Sequence, residues 1–273
     1  MHNYSFFYLK NPDRTYDEYK ISDDIPFIIK NNSKRINLRW PESELISSMI
    51  KYLLNGNNYE TIQEDKRPIM DQDYTPVLPN EYWDFWHVES NFDVYQNQIY
   101  PMISNAVLTI LEARKDNSTL PTILDIGGGA GHLACSIFKA YQRSLNYILL
   151  EKNDVEIGHA RQCLNNLSAV VKTDIVKDPI FYQDEANSKP LEFNSIDIAI
   201  ASGVLTRQVL KDKEESLSTL NKIYLYIKQG GFIILSGRTA SYIAASDLLN
   251  AGFEVLNRSL PRSSTQFYIA RKI

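Results

Sequence analysis

The sequence predicts an α/β protein: a doubly wound, mostly parallel sheet of seven strands, preceded by a partly helical N-terminal cap. Three observations predict it. From Thr122 onward, short apolar runs alternate with amphipathic stretches, a pattern that implies right-handed crossovers between parallel strands. The apolar runs lack polar alternation, as strands covered on both faces do. The last two runs are joined only by Arg258–Thr265, too short for a crossover helix, so they pair antiparallel at one edge.

Each element has its own warrant. Thr122–Ile126 is a β-branched run ending in glycines and reads as a strand. Gly131–Tyr141 reads as a helix, with Leu133, Ile137 and Phe138 on one face. Tyr147–Leu150 is a second buried strand, Val155–Leu164 a helix and Ala169–Lys172 a short third strand. A connection rich in Asp, Pro and Asn runs to Asn194, and Ser195–Ala201 is a nearly all-apolar fourth strand. Glu214–Lys228 has helical spacing through Leu217, Leu220, Ile223, Tyr224 and Ile227, and Gln229-Gly230-Gly231 stops it. Phe232–Leu235 is a fifth strand and Ser241–Asn250 a helix. Phe253–Asn257 and Gln266–Arg271 form the closing pair.

Before Thr122 the texture differs. All three Trp (Trp40, Trp83, Trp86) and 10 of the 17 Tyr precede residue 116. That places the division of the chain near there: residues 1–115 as an aromatic-rich cap and 116–273 as the α/β domain. Glu42–Asn55 is an amphipathic helix, with Pro41 suited to its first turn and Gly56 to its end. Gln98–Arg114 is a second, through Ile103, Val107, Ile110 and Leu111. The aromatic segment Tyr82–Tyr95 lies between them.

Composition narrows the function. At 273 residues, 44% hydrophobic and 23% charged, the chain has ordinary globular usage. Residues 1–115 carry 12 Lys+Arg against 17 Asp+Glu, so the cap is acidic and unsuited to a phosphate backbone. No run approaches the roughly 18 apolar residues that cross a bilayer, and Met1–Lys10 does not resemble a signal peptide. Cys135 and Cys163 are too few for a disulfide framework or a four-ligand zinc site and suit a reducing compartment. The four His (His2, His87, His132, His159) lack paired ligand spacing. These points describe a soluble, cytoplasmic protein without metal, nucleic-acid partner or membrane span; they leave oligomeric state open.

The most informative stretch is Ile123-Leu124-Asp125-Ile126-Gly127-Gly128-Gly129-Ala130-Gly131-His132, a strand running through a glycine loop into a helix. Glycines there let a ligand touch backbone, and the helix start offers unpaired N–H groups. Such a loop sits at the carboxyl ends of the strands, where open α/β sheets hold ligands. The dinucleotide fingerprint fails: its third glycine falls on His132. A carboxylate at Asp125 suits a cationic amine and repels a pyrophosphate.

Leu124-Asp125-Ile126-Gly127-Gly128-Gly129-Ala130-Gly131 resembles the first motif of the class I S-adenosylmethionine-dependent methyltransferases, which have a Rossmann-like sheet. Later positions match in order over residues 116–273. Glu151, ending Leu149-Leu150-Glu151, resembles the acid that binds the ribose hydroxyls, with Lys152 beside it. Asp174 resembles the acceptor for the adenine amino group, and Ile175 would pack on the adenine face. Ile196–Gly203 resembles the fourth-strand motif, which places Ser202 and Gly203 beside the methionine part. Ile227-Lys228-Gln229-Gly230-Gly231-Phe232 resembles the turn into the fifth strand, with Gln229 where proline is usual.

The resemblance implies S-adenosyl-L-methionine as cofactor and methylation of a small-molecule acceptor at oxygen or nitrogen. The cofactor carries the activated group, so the protein mainly positions. His87, among Trp83, Phe85 and Trp86, is the candidate general base, set against a packed aromatic helix with His87 at its edge. Phe92-Asp93-Val94-Tyr95 resembles a segment that folds over the cofactor, so Tyr95 and Tyr100 are candidates to cover its methionine end. His132 is a candidate cofactor neighbour, and Arg207 faces either substrate or solvent. Arg258, Arg262, Arg271 and Lys272 read as a surface feature. Two other readings stay open: a protein or RNA methyltransferase, disfavoured by Ala201-Ser202-Gly203-Val204 where adenine methylases carry a proline-proline motif, and a silent cofactor-binding scaffold.

Overall fold

The computed structural model describes residues 95–114, 119–165, 167–184, 189–237, 241–258 and 266–273, together with the backbone of four strands within 4–37. The helix expected at Glu42–Asn55, the segment Tyr82–Val94 and His87 lie outside the described residues.

The N-terminal strands are β1 (Tyr4–Lys10), β2 (Tyr16–Ser22), β3 (Phe27–Lys30) and β4 (Lys34–Asn37), an antiparallel meander. The sequence reading assigned no element here. The signal was present: runs rich in Tyr, Phe and Ile are separated by Asn-Pro-Asp, Asp-Asp and Asn-Asn-Ser, the pattern of strands and turns.

A π-helical turn, Tyr95–Ile99, leads into α1 (Tyr100–Glu112). The sheet and its helices follow: β5 (Thr122–Ile126), α2 (His132–Ala140), β6 (Asn146–Glu151), α3 (Asp154–Leu164) and β7 (Ala169–Lys172). A small hairpin, β8 (Tyr182–Asp184) and β9 (Lys189–Pro190), occupies the connection expected to be irregular. Then come β10 (Ile196–Ser202), α4 (Lys213–Tyr226), β11 (Ile227–Gly237), α5 (Ala245–Asn250), β12 (Phe253–Arg258) and β13 (Gln266–Lys272).

The seven-stranded sheet has the order β7-β6-β5-β10-β11-β13-β12. Neighbours pair parallel from β7 to β11, and β13 runs antiparallel to both β11 and β12. The expected closing pair is therefore present, with β13 as the reversed strand. Gln229-Gly230-Gly231 does not separate helix from strand as expected. The helix ends at Tyr226, and these residues form a kink inside β11, where the partner of β10 jumps from Ile227 to Phe232 and Gly230 has φ 75°.

Alternate residues of each strand feed two cores. Ile123, Leu149, Ile198 and Ile234 pack with Met102, Ile103 and Val107 of α1 and Leu133 and Ile137 of α2. Leu124, Leu150, Ala199 and Ile233 pack with Leu220 and Ile223 of α4 and Leu248 of α5. Each such Leu, Ile, Val or Met side chain contributes about 1.5–3 kcal/mol through burial. Helix α1, counted with the cap from sequence, thus covers one face of the sheet.

Local chemistry fixes the helix starts. Asn153 Oδ1 accepts from Val155 N (2.9 Å) and Glu156 N (3.1 Å), capping α3. Asp212 does the same for α4 through Glu215 N at 2.9 Å. At the opposite end of the sheet from the glycine loop, Asp197 accepts from Thr122 N and Lys228 Nζ, both at 2.8 Å. Lys272 is a correction to the expected basic surface. It is buried, and its ammonium donates to Asn194 Oδ1 (3.0 Å), Tyr224 O (2.9 Å) and Ile227 O (2.8 Å). The ammonium also lies 4.0 Å from the centre of the Tyr224 ring, and the three oxygens replace water. Among the described residues no helix is long and apolar enough to cross a membrane.

Candidate functional site

The carboxyl ends of β5, β6, β7 and β10 open into one cavity of about 1020 Å³, counting the space at its mouth. The glycine loop forms its floor. Gly127 N donates to Leu150 O at 2.7 Å, and Gly131 N to Gly128 O at 3.1 Å, which closes the turn into α2. Gly127 has φ 66°, where a side chain is strained, and a Cβ there would lie 2.4 Å from Val204 Cγ2. This loop admits no side chain between strand end and ligand space.

Glu151 closes the next wall. Its Oε2 accepts from Gly129 N (3.0 Å), and its Oε1 accepts from Lys152 N (2.8 Å) and Asn153 N (2.9 Å). Of roughly four acceptor positions on a carboxylate, three are filled by backbone. Burial still pushes the carboxyl above the usual carboxylate range, against the pull of those three N–H donors.

Asp174 lies one strand further. Its Oδ1 accepts from Val176 N at 3.0 Å, and its own N–H donates to Asp178 Oδ2 at 2.7 Å. Burial raises its carboxyl, but the Val176 and Lys177 amides and the nearby Lys152 and Lys177 ammoniums outweigh that and hold it below the usual range. The turn is braced from the far layer: Lys222 of α4 donates to Ile175 O at 2.6 Å and to Asp178 O.

The structure brings most of the sequence-expected residues to this cavity: Tyr95, Gly127, Gly128, Gly129, Glu151, Lys152, Asp174, Ile175, Ser202 and Gly203 line it. Tyr100 and His132 do as well. The Tyr95 and Tyr100 rings meet edge to face at 5.9 Å, and the Tyr95 hydroxyl lies 3.4 Å from where a Cβ on Gly203 would be. Burial, then Tyr95, raises the Tyr100 hydroxyl far above its ordinary value, so it stays a neutral donor. Ser202 Oγ shares a 2.7 Å hydrogen bond with Ser236 Oγ.

Asp125, Gly131 and Arg207 do not line the cavity. Asp125 is 1% exposed, one layer beneath the loop, and accepts from Tyr147 Oη at 2.7 Å. Its Oδ2 is 2.8 Å from where a Cβ on Gly128 would sit, so only the glycine separates it from the ligand space. Burial pushes its carboxyl up to about 7, despite the Tyr147 hydroxyl. Gly131 is spent on packing, with Leu164 Cδ1 3.0 Å from its would-be Cβ. Arg207 is buried rather than solvated, with its guanidinium 5.2 Å from the centre of the Tyr242 ring.

Sequence reasoning missed Glu156, which is buried and lines the cavity below Gly129. An acid three residues after an Asn N-cap reads as a capping box. Here the Asn153 N–H is already taken by Glu151, which releases Glu156 from that duty. Thr173 and Gln208 were missed as well. Three carboxylates, Glu151, Glu156 and Asp174, therefore face the cavity with Lys152 and His132 as the basic groups. Among the described residues no group of His, Cys, Asp and Glu is arranged to hold a metal ion.

No family model matches the sequence, and no curated protein does. Solved structures do match. A SAM-dependent methyltransferase of Leishmania major superposes with a TM-score of 0.51 at 14% identity, over 71% of this chain and 81% of that one. The CurJ carbon methyltransferase gives 0.50 at 16% identity and the DszA carbon methyltransferase 0.50 at 14%, each over 66% of this chain. The aligned part spans 56% of the length of each of those two. At such identities the likeness is one of fold.

Proposed function

We propose that this chain, whose fold is that of the class I S-adenosylmethionine-dependent methyltransferases, transfers a methyl group from S-adenosylmethionine to oxygen or nitrogen of a small-molecule acceptor. One observation carries the reading. A side-chain-free loop on β5, an acid ending β6 and an acid just past β7 converge on one cavity whose walls are acidic. That set fits a cationic nucleoside and disfavours a pyrophosphate.

When bound, the cofactor supplies an activated methyl for in-line displacement. The chain's residues bind and orient. Glu151 takes a ribose hydroxyl on its remaining lone pair, and Lys152 flanks it. Asp174 accepts from the adenine amino group while Ile175 packs on the ring. Gly127, Gly128 and Gly129 let the ligand rest on backbone. Tyr95, Ser202 and Gly203 border the methionine end, and Asp125 offers its charge to the amine through Gly128. His87 and the aromatic segment around it are assigned to the acceptor side.

Calorimetry with S-adenosylhomocysteine, followed by turnover on a panel of phenols, carboxylic acids and amines, tests this. Micromolar binding with methylation of one class is expected. No binding, or preference for a dinucleotide, overturns it; binding without turnover identifies a scaffold.

Glu151→Gln is expected to weaken S-adenosylhomocysteine about 100-fold, not to act as a conservative change. An amide NH2 must face either Gly129 N–H or the Lys152 and Asn153 N–H pair, donor against donor. Unchanged affinity would remove Glu151 from the site.

A further inference from the structure

Cys135 of α2 and Cys163 of α3 have no part in that chemistry. Their Sγ atoms lie 2.6 Å apart, about half an ångström beyond the ~2.05 Å of a disulfide bond. Both are free thiols; Cys163 is exposed and Cys135 half-buried. Their helices are held by buried neighbours on either side, Ala134 and Ile137 in α2 and Ala160 and Leu164 in α3. The two sulfurs are thus brought together by packing and not by a mobile loop.

We propose that Cys135 and Cys163 form a redox-modification site, oxidised by a low-molecular-weight disulfide such as glutathione disulfide to a bond joining α2 and α3. Exposure makes Cys163 the entry point. Its thiolate attacks one sulfur of the oxidant, forming a mixed disulfide and releasing one glutathione thiolate. Cys135 then gives up its proton and attacks Cys163 Sγ, and the second glutathione leaves. Two protein thiols become one disulfide while one glutathione disulfide becomes two glutathiones. Burial and the neighbouring Cys163 push the Cys135 thiol up to about 12, so Cys135 is not the thiol that attacks the oxidant first. The bond would close a 28-residue separation that contains β6 and Glu151, tying the helix after the glycine loop to the helix after the ribose-side acid. Excess reduced thiol reverses it. Oxidation here is independent of which ligand the cavity takes.

The test equilibrates the full chain with graded ratios of oxidised and reduced glutathione, quenches with acid and maps thiols and peptides by mass spectrometry. The expected result is concerted loss of both thiols, a single linked peptide pair containing Cys135 and Cys163, reversal by dithiothreitol, and a Tm about 5 °C higher when oxidised. Cys135→Ser is expected to stop at the glutathione adduct on Cys163, and Cys163→Ser to stay unmodified. Wild-type protein that collects adducts without linking, or keeps both thiols while a control dithiol peptide oxidises, overturns the proposal. The wild-type measurement decides alone if a serine variant does not fold.

Discussion

Gly127→Val is expected to reduce S-adenosylhomocysteine binding by more than about 100-fold and to destabilise the protein by about 2–5 kcal/mol. Two costs combine. A left-handed backbone at φ 66° costs a β-branched residue roughly 1–2 kcal/mol. The new Cβ, 2.4 Å from Val204 Cγ2, also forces a buried, stiff side chain away, for about 1–3 kcal/mol more. The displaced Val204 lines the cavity, so the damage reaches the ligand directly. Gly158→Ala is the matched control. It lies exposed in α3 with nothing within 4 Å of its would-be Cβ, and is expected to gain about 0.5–1 kcal/mol without altering binding. Thermal melts and calorimetry on both variants decide it. If Gly127→Val binds normally, the loop does not approach the ligand.

Asp125→Asn is expected to do the opposite to stability: the ligand-free variant should exceed wild type by about 2–4 kcal/mol at pH 8. Burial raises the Asp125 carboxyl from 3.8 to about 7, so between those values the folded chain holds a proton that the unfolded chain has lost. Wild-type stability therefore falls as pH rises through this window, by up to about 4 kcal/mol at ~1.4 per unit, and is level above it. The amide never ionises and still accepts from Tyr147 Oη, so the variant lacks this slope. The two proteins should converge near pH 4. Binding moves the other way. A cationic amine above Gly128 favours the ionised form, so wild-type affinity rises from pH 6 to 8, and the variant binds roughly tenfold weaker at pH 8. Denaturant melts at pH 4 and pH 8 settle the first claim, and calorimetry in buffers of different ionisation heat settles the second. Parallel pH profiles for the two proteins would mean that Asp125 is ionised without cost.

The parts legible in the sequence share a property: their local pattern and tertiary role agree. Thr122–Ile126 is β-branched, ends in glycines and becomes an interior strand of the sheet with its loop. Glu151 ends its apolar strand and Asp174 follows the next by two residues, and the parallel topology carries both to one edge. The illegible parts depend on contacts distant in sequence. Nothing near Asp125 announces that Tyr147 approaches it from the neighbouring strand, turning an expected ligand contact into a buried carboxylate. Lys272 looked like one of a basic group because the oxygens it meets belong to Asn194, Tyr224 and Ile227. Glu156 stands where an acid ordinarily caps a helix, and what leaves it to the cavity is the claim that Glu151 makes on the Asn153 N–H. The N-terminal meander is different: its turn signals were visible, but weak alternation in aromatic runs concealed the strands.

Lys222 belongs to α4, the helix reached from β10 through the segment that places Gln208 and Val209 on the cavity wall. Its ammonium is anchored on the turn that carries Asp174. The wall carrying Gln208 and Val209 and the turn carrying Asp174 are therefore not independently adjustable. A change that shifts α4 also displaces the support of the Asp174 turn, so under the proposed function variants of this helix should be screened for cofactor affinity alongside turnover.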